Sequence, residues 1–125
     1  MTHPLIDRLV TDFDWPRLST MHDVAAFVAA PGAHCLFVPG DPRRNLESAD
    51  VAVILPELHM TFQRAFDCAV VADAIETQVR TAANVLKTPS LIFYRDGLPL
   101  GGIPKVRDWD DYIARIPRIL NPRAA

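Results

Sequence analysis

Apolar residues follow two spacings along this chain, one typical of strands and the other of amphipathic helices. Short, predominantly apolar runs at 34–38, 66–71 and 90–95 indicate strands, and the first is apolar enough for burial on both faces of a sheet. Apolar residues that recur every three or four positions indicate helices. The helical segments are 4–13, one that begins after Thr20 and ends before Pro31, one from near Ser48 to Phe62, 76–83, and one that begins at Asp108.

Two more strands are predicted, one after the run at 90–95 and one near the N-terminus. Thr88-Pro89 introduces the run at 90–95, Asp96-Gly97 favours a type I′ turn, and a returning strand follows over about 98–103. These segments form a β-hairpin. Near the N-terminus, 15–18 is too short and too proline-marked for a central strand, so we expect an edge strand there.

Two of the predicted helices carry specific expectations. Pro56 stands inside the third helix, where a proline removes one backbone hydrogen bond and clashes with the preceding turn, at a cost of about 3 kcal/mol. We therefore expect a kink at Pro56, and on local grounds this residue argues against one continuous helix. In the last helix, the apolar stripe expected to face the core comprises Trp109, Tyr112, Ile113 and Ile116.

The order of elements predicts the fold class. Helix, strand, helix, strand, helix, strand, helix, hairpin and helix follow one another over 125 residues. Strands separated by helices favour parallel pairing with right-handed crossovers, and the hairpin adds antiparallel strands. We expect one α/β domain over 1–125, with a mixed sheet between layers of helices, an N-terminal helix at about 4–13 and a frayed tail at 121–125.

Charge and hydropathy exclude several classes of function. The formal net charge is -2, which gives no general electrostatic attraction to nucleic acid or to an anionic membrane. Asp7, Asp12 and Asp14 interrupt the segment where a signal peptide would be apolar, and no run approaches 18 apolar residues. We expect a cytoplasmic protein that binds no nucleic acid and does not insert into a membrane.

The residues that most often carry metal or redox chemistry show no motif. Cys35 and Cys68 lie in separate apolar runs, which matches neither a disulfide framework nor a zinc site. Each is expected to be a small buried side chain, while a thiol-dependent oxidoreductase or peroxidase that uses one of them is the enzymatic alternative. No metal or other cofactor is expected, because the histidines have no ligand spacing; they are His3, His22, His34 and His59.

Over roughly 15–120 the chain resembles the thioredoxin fold. The resemblance rests on the apolar strand at 34–38, the helix that contains Pro56, and Thr88-Pro89 before the hairpin. It implies a three-layer sandwich with a central mixed sheet of four to five strands and a cis peptide bond before Pro89. It also places Ser48-Ala49-Asp50-Val51 where a thioredoxin has Cys-x-x-Cys. Neither Ser48 nor Val51 supplies a thiolate, so disulfide exchange of the thioredoxin type is excluded at this position.

A closer resemblance is to the hydrogenase expression proteins of the HupG/HyaE type. Asp-Pro-Arg-Arg at 41–44, the acids Glu47 and Asp50, Pro-Glu-Leu at 56–58, and Ala-Asp at 72–73 carry it, together with the Thr88-Pro89 hairpin. It implies a redox-inactive chaperone in maturation of a membrane-bound [NiFe] uptake hydrogenase. The implied partner is the twin-arginine signal peptide of the hydrogenase small subunit.

Such a peptide offers two guanidinium groups and an apolar stretch, which fixed carboxylates and an apolar groove would bind. We hypothesise that Glu47 and Asp50 bind the arginines, and that the backbone edge at Thr88 pairs with the extended peptide. The full candidate peptide-binding set is Asp41, Arg43, Arg44, Glu47, Asp50, Glu57, Thr88 and Pro89.

Simpler interpretations of these residues stay open. Glu47 and Asp50 would also stabilise a helix N-terminus electrostatically, Arg43 and Arg44 would also suit a solvated loop or pair with those carboxylates, and Pro89 would also serve as a fixed turn. The alternative at the level of function is a general protein-interaction scaffold unrelated to hydrogenase. A homodimer and contacts with other hydrogenase accessory proteins are compatible with the sequence.

Overall fold

A computed structural model describes residues 3–121 of the chain, so the tail predicted at 121–125 lies outside the described residues except for residue 121. The helices are α1 (Pro4–Thr11), α2 (Met21–Ala29), α3 (Glu47–Thr61), α4 (Glu76–Ala83) and α5 (Trp109–Leu120). The strands are β1 (Arg17–Leu18), β2 (Ala33–Val38), β3 (Phe66–Val71), β4 (Ser90–Arg95) and β5 (Leu98–Pro104). A short 3-10 helix, Asp73–Ile75, leads into α4.

The five strands form one mixed sheet in the order β1-β3-β2-β4-β5. β1, β3 and β2 run parallel, while β4 is antiparallel to both β2 and β5. Every residue of β2 is buried, as expected for the central strand of a sheet covered on both faces. The predicted mixed sheet, the edge strand near the N-terminus and the terminal hairpin are confirmed.

Helices cover both faces of the sheet, so residues 3–121 form two apolar cores, one on each face. Alternate residues of β2 point to opposite sides: Cys35 and Phe37 belong to one core, while Leu36 and Val38 belong to the other. The first core also contains residues of α1, α3 and α5, and the second contains residues of α2 and the α4 region. This arrangement is the expected three-layer sandwich.

The argument from Pro56 against one continuous helix is wrong. α3 runs unbroken from Glu47 to Thr61 with Pro56 inside it. The residues around the proline supply the reason, since Leu55, Pro56 and Leu58 are all buried in the core. Packing of this apolar face outweighs the local cost of the missing backbone hydrogen bond.

Two aromatic residues lie closer to solvent than the pattern predicts. Trp109 is the first residue of α5 and is 43% exposed, so its assignment to the core stripe is wrong, whereas Tyr112 and Ile116 are fully buried. Phe13 lies beyond the end of α1, with its ring 5.6 Å from that of Trp15. A helix end leaves its terminal side chains outside the packed layer, which apolar spacing alone does not reveal.

Candidate functional site

The peptide bond between Thr88 and Pro89 is cis, as expected from the resemblance. The Thr88 carbonyl accepts a hydrogen bond from Asn45 Nδ2 at 2.6 Å and another from Lys105 Nζ at 3.4 Å. The Pro89 carbonyl accepts the Lys105 backbone N–H at 2.6 Å. The expectation of a free edge is therefore wrong for the carbonyl of Thr88, while its N–H makes no hydrogen bond within residues 3–121.

Glu47 joins the start of α3 to the segment after β5. Its carboxylate accepts a 2.8 Å hydrogen bond from the Val106 backbone N–H and lies 3.0 Å from Lys105 Nζ. The Val106 N–H, and then the Lys105 ammonium, lower the pKa of this carboxyl below its ordinary value. Glu47 therefore has a structural role, because its carboxylate joins the start of α3 to residues 105–106.

The other two acids predicted on α3 are solvated. Asp50 and Glu57 are both exposed, and the described part of the chain provides neither with an ion pair. Asp50 lies in the first turn, where a negative charge is favourable. Thus Glu47 and Asp50, although one turn apart, differ in environment and do not form one paired site.

Ser48 occupies the position where the resemblance places the first thioredoxin cysteine. The residue is fully buried, and its hydroxyl donates a 2.6 Å hydrogen bond to the Pro39 carbonyl. Val51, at the second cysteine position, is 1% exposed. The start of α3 therefore holds a structural hydrogen bond and an apolar contact in place of a reactive pair.

The two cysteines are neighbours within the sheet. Cys35 on β2 and Cys68 on β3 are paired in register, and both belong to the core that faces α3. Burial, reinforced by a thiol hydrogen bond with Cys68, raises the pKa of Cys35 well above its ordinary value. A buried thiol with a raised pKa is a poor nucleophile at neutral pH, so this pair suits packing better than catalysis.

Asp41 pairs with the arginines that follow it. Its carboxylate accepts the Arg43 backbone N–H at 3.0 Å and lies 3.7 Å from the Nε atoms of both Arg43 and Arg44. The two guanidinium groups are largely solvated, and surface pairs of this length contribute little to stability. Arg43 and Arg44 therefore stay near Asp41, whereas Glu47 bonds to other donors.

An acidic cleft of about 370 Å³ opens beside this loop. Its lining residues are Gly40, Asp41, Pro42, Arg43, Asp73 and Glu76. Its volume is within the range of small-ligand sites and accommodates a guanidinium group. The fold thus brings three carboxylates to one opening, two of which, those of Asp73 and Glu76, are absent from the sequence-predicted set.

Glu76 is half-buried at the cleft, whereas Asp73 is exposed. Burial raises the pKa of its carboxyl above the ordinary value, against the opposing effect of a 3.1 Å hydrogen bond from the Gly40 backbone N–H. Nearby Asp73 and Asp41 raise this pKa further. A carboxylate in such surroundings gains more from an arriving cation than a fully solvated one does.

Gly40 brings the acidic cleft next to the cis-proline turn. Its φ of +77° suits glycine, and a Cβ on Gly40 would lie 2.5 Å from Thr88 Oγ1. The Thr88 side chain therefore packs directly on the backbone of the cleft. The sequence contains a signal for this arrangement. Gly40 follows one apolar strand and Asp73 follows another, and the carboxyl ends of parallel neighbouring strands lie together at one edge of a sheet.

The cleft carboxylates are not arranged as metal ligands. Among residues 3–121, no group of three or more His, Cys, Asp or Glu side chains is placed to hold a metal ion. Nor does any helix in this part of the chain combine the length and apolarity needed to cross a bilayer.

Solved structures with the same fold include thioredoxins. A thioredoxin mutant from Halobacterium salinarum NRC-1 superposes with a TM-score of 0.68 at 14% identity, over 86% of this chain and 92% of that one. Another match is a crystal structure described as hydrogenase expression/formation protein hupG from Rhodopseudomonas palustris CGA009. It superposes with a TM-score of 0.56 at 32% identity, over 86% of this chain and 96% of that one.

Proteins related in sequence identify the family, whereas the structural matches to thioredoxins show only the fold. The hydrogenase expression/formation protein HupG of Rhodobacter capsulatus is 65% identical over 119 residues, covering 95% of this chain and 86% of that protein. HoxO of Azotobacter vinelandii, another hydrogenase expression/formation protein, is 39% identical over 120 residues, or 96% and 80% of the two chains. The model of the family described as hydrogenase-1 expression protein HyaE matches residues 5–112. The chain therefore belongs to the HyaE family of hydrogenase expression/formation proteins.

Proposed function

We propose that this protein is a non-catalytic chaperone in maturation of a membrane-bound [NiFe] uptake hydrogenase, and that it binds the twin-arginine signal peptide of the small subunit. Membership of the family supports the hydrogenase pathway. The observation that carries the peptide-binding role is the acidic cleft beside the cis-proline turn. Because such peptides are read before export, the encounter takes place in the cytoplasm.

The absence of a reactive thiol pair at the start of α3 supports a binding role over disulfide chemistry. Ser48 is buried and bonded to the Pro39 carbonyl, and burial raises the pKa of Cys35. Disulfide exchange needs an accessible thiolate with a low pKa. The two cysteines of this chain lie in the core instead.

The geometry changes which acids we assign to the arginines. Glu47 is bonded to Val106 and Lys105, so we assign it the role of holding the turn beside Pro89. Asp41 and Glu76 bind the arriving guanidinium groups, with Asp73 adding negative charge to the cleft. Arg43 and Arg44 keep Asp41 paired with cations while the cleft is empty, and the arriving arginines displace them.

The backbone of the peptide lies along the cis-proline turn. The Thr88 N–H donates to a peptide carbonyl, since the Thr88 carbonyl itself is occupied by Asn45 and Lys105. One backbone hydrogen bond fixes the position of the chain, while the charge-assisted contacts in the cleft supply most of the affinity. Asp50 and Glu57, exposed on α3, contribute long-range attraction to a cationic segment.

Capture on immobilised synthetic peptides tests this function. One peptide carries the adjacent arginine pair of the small-subunit signal, and its control carries two lysines at the same positions. We expect the lysine peptide to capture much less protein, because lysine lacks the bidentate geometry of guanidinium. Equal capture on both peptides would favour a general interaction scaffold, and capture on neither would contradict the proposal.

A further inference from the structure

A second opening lies at the other end of α4. This groove, of about 410 Å³, is formed by the end of α4, the segment after it and β5. Its lining residues are Ala83, Asn84, Val85, Leu86, Lys87, Gly101, Gly102 and Pro104, and we call it the apolar groove. Leu86 is 67% exposed, so its side chain is accessible to an apolar ligand in the groove.

Two local contacts shape the apolar groove. A Cβ on Gly102 would lie 2.7 Å from Val85 Cγ2, so the glycine lets Val85 pack against the strand backbone. The Arg80 guanidinium donates a hydrogen bond to the Leu86 carbonyl, which ties the segment after α4 back to the helix. Leu86 is therefore presented by a segment that the fold holds in place.

α4 links the apolar groove to the acidic cleft. Glu76 at its start lines the cleft and Ala83 at its end lines the groove. The two residues are seven positions apart, or about 10 Å along the helix axis. Val79, which lies between them on the same side of α4, is buried, so a peptide passes between the two openings at the cis-proline turn, where Thr88 packs on Gly40. An extended peptide covers that distance in about three residues.

We propose that the apolar groove binds the apolar segment that follows the arginine pair in the same signal peptide, starting about three residues after the second arginine. This inference rests on the proposed function, because it uses the acidic cleft as the site of the arginines. Signal peptides place a cationic region before an apolar one, and the acidic cleft and the apolar groove lie at the two ends of α4, about 10 Å apart.

A second copy of this chain is the less suitable occupant. Pairing between copies would use the free edge of β5, but that strand contains Pro99 and Pro104, which have no N–H to donate. The pairing of β4 with β5 also shifts register near Phe93 and Tyr94, an irregularity that disfavours continued pairing at the edge. The groove beside it is open to side chains of an extended peptide.

Fluorescence anisotropy with labelled synthetic peptides tests the inference. The first probe has two adjacent arginines, a spacer of about three residues, and a run of leucines. The second keeps the arginines and replaces the leucines by serines. We expect the Leu86→Ser variant to bind the first probe about tenfold more weakly than the unsubstituted protein, and both proteins to bind the second probe equally. Leu98→Ser is the matched control, since Leu98 is 68% exposed and lies outside both openings.

The outcomes separate this inference from the proposed function. If the protein binds both probes equally well, or if Leu86→Ser and Leu98→Ser have the same effect, the groove assignment is overturned while arginine binding stands. If the protein binds neither probe, the proposed function fails, and the groove assignment fails with it. Lengthening the spacer in the first probe should also weaken binding, and no change would contradict the spacing derived from α4.

Discussion

The carboxylate of Glu47 accepts a 2.8 Å hydrogen bond from the backbone N–H of Val106, 59 positions later in the chain. This contact fastens the start of α3 to the segment that follows β5. That segment also contains Lys105, which donates to the carbonyls of Thr88 and Pro89. Glu47 thus supports the cis-proline turn through Lys105 and Val106. α3 itself contains no cysteine.

Replacing Glu47 should reduce stability through this contact. We expect Glu47→Ala to lower the free energy of unfolding by about 1–2 kcal/mol, because a charge-assisted hydrogen bond is lost from a partly solvated site. Urea denaturation followed by circular dichroism measures the change. Glu57→Ala is the control on the same helix, with an expected effect within about 0.5 kcal/mol. Equal effects of the two substitutions would show that the Val106 contact contributes nothing.

The contribution of Glu47 should also depend on pH. Its pKa is lowered in the folded protein, chiefly by the Val106 N–H, so the ionised form is favoured by folding. The stabilisation is fully present above the ordinary pKa of a glutamate and is lost as the pH falls through the lowered value. Unfolding curves of the wild type and Glu47→Gln should therefore converge in acid. A difference that grows in acid would contradict the sign of this pKa shift.

Two buried serines offer a matched test of the start of α3. Ser48 donates a hydrogen bond to the Pro39 carbonyl, whereas the buried hydroxyl of Ser90 has no partner in the described structure. Ser48→Ala should cost about 1–2 kcal/mol of unfolding free energy, while Ser90→Ala should be neutral or stabilising. Thermal and urea unfolding of both variants provide the measurement. A neutral Ser48→Ala would remove the structural role that we assign to this hydroxyl.

Thiol labelling tests the enzymatic alternative. Cys35 and Cys68 are both buried, and the pKa of Cys35 is raised. We expect slow reaction of the native protein with a chromogenic disulfide reagent, and rapid reaction of both thiols after unfolding in guanidinium chloride. Fast labelling of one thiol under native conditions would restore the thiol-dependent oxidoreductase as a candidate.

Glu76→Gln should separate binding from stability. The substitution keeps an oxygen that accepts the Gly40 N–H but removes the carboxylate charge. Because burial raises the pKa of Glu76, the charged form is unfavourable in the folded protein, so we expect unchanged or higher stability at neutral pH. That advantage should vanish as the pH falls and Glu76 becomes protonated. Affinity for an arginine-pair peptide should fall about tenfold, whereas Glu57→Gln, which removes only long-range attraction, should change it by less than about twofold. Equal affinities of the two variants would remove Glu76 from the site.

The fold was predictable because the spacing of apolar residues, which distinguishes strands from helices, extends over whole segments of the chain. The buried strand at 34–38 and the helices on either side of it follow from apolar spacing alone, and Thr88-Pro89 before the hairpin pointed to the cis bond through the family resemblance. The continuity of α3 through Pro56 was not predictable, since it depends on core packing that local rules for proline do not include.

The candidate site was only partly predictable. Asp41 was identified from its motif, but Glu76 joins it only because β2 and β3 are adjacent and parallel, which brings the ends of two distant segments together. Glu47 was correctly located at the start of α3, yet its partner Val106 is too distant in sequence for any motif to reveal. Contacts of this kind are set by topology, whereas motifs describe neighbours along the chain.

Binding of an arginine pair in the acidic cleft can be observed residue by residue in a nuclear magnetic resonance titration of the ¹⁵N-labelled protein with the twin-arginine peptide. We expect the largest amide shifts at Gly40, whose N–H bonds to Glu76, at Asp41, Arg43 and Arg44, and along residues 73–76. The lysine-pair peptide should produce much smaller shifts at the same amides. Shifts confined to the exposed face of α3 around Asp50 and Glu57, or equal shifts with both peptides, would show that the acidic cleft is not an arginine-binding site.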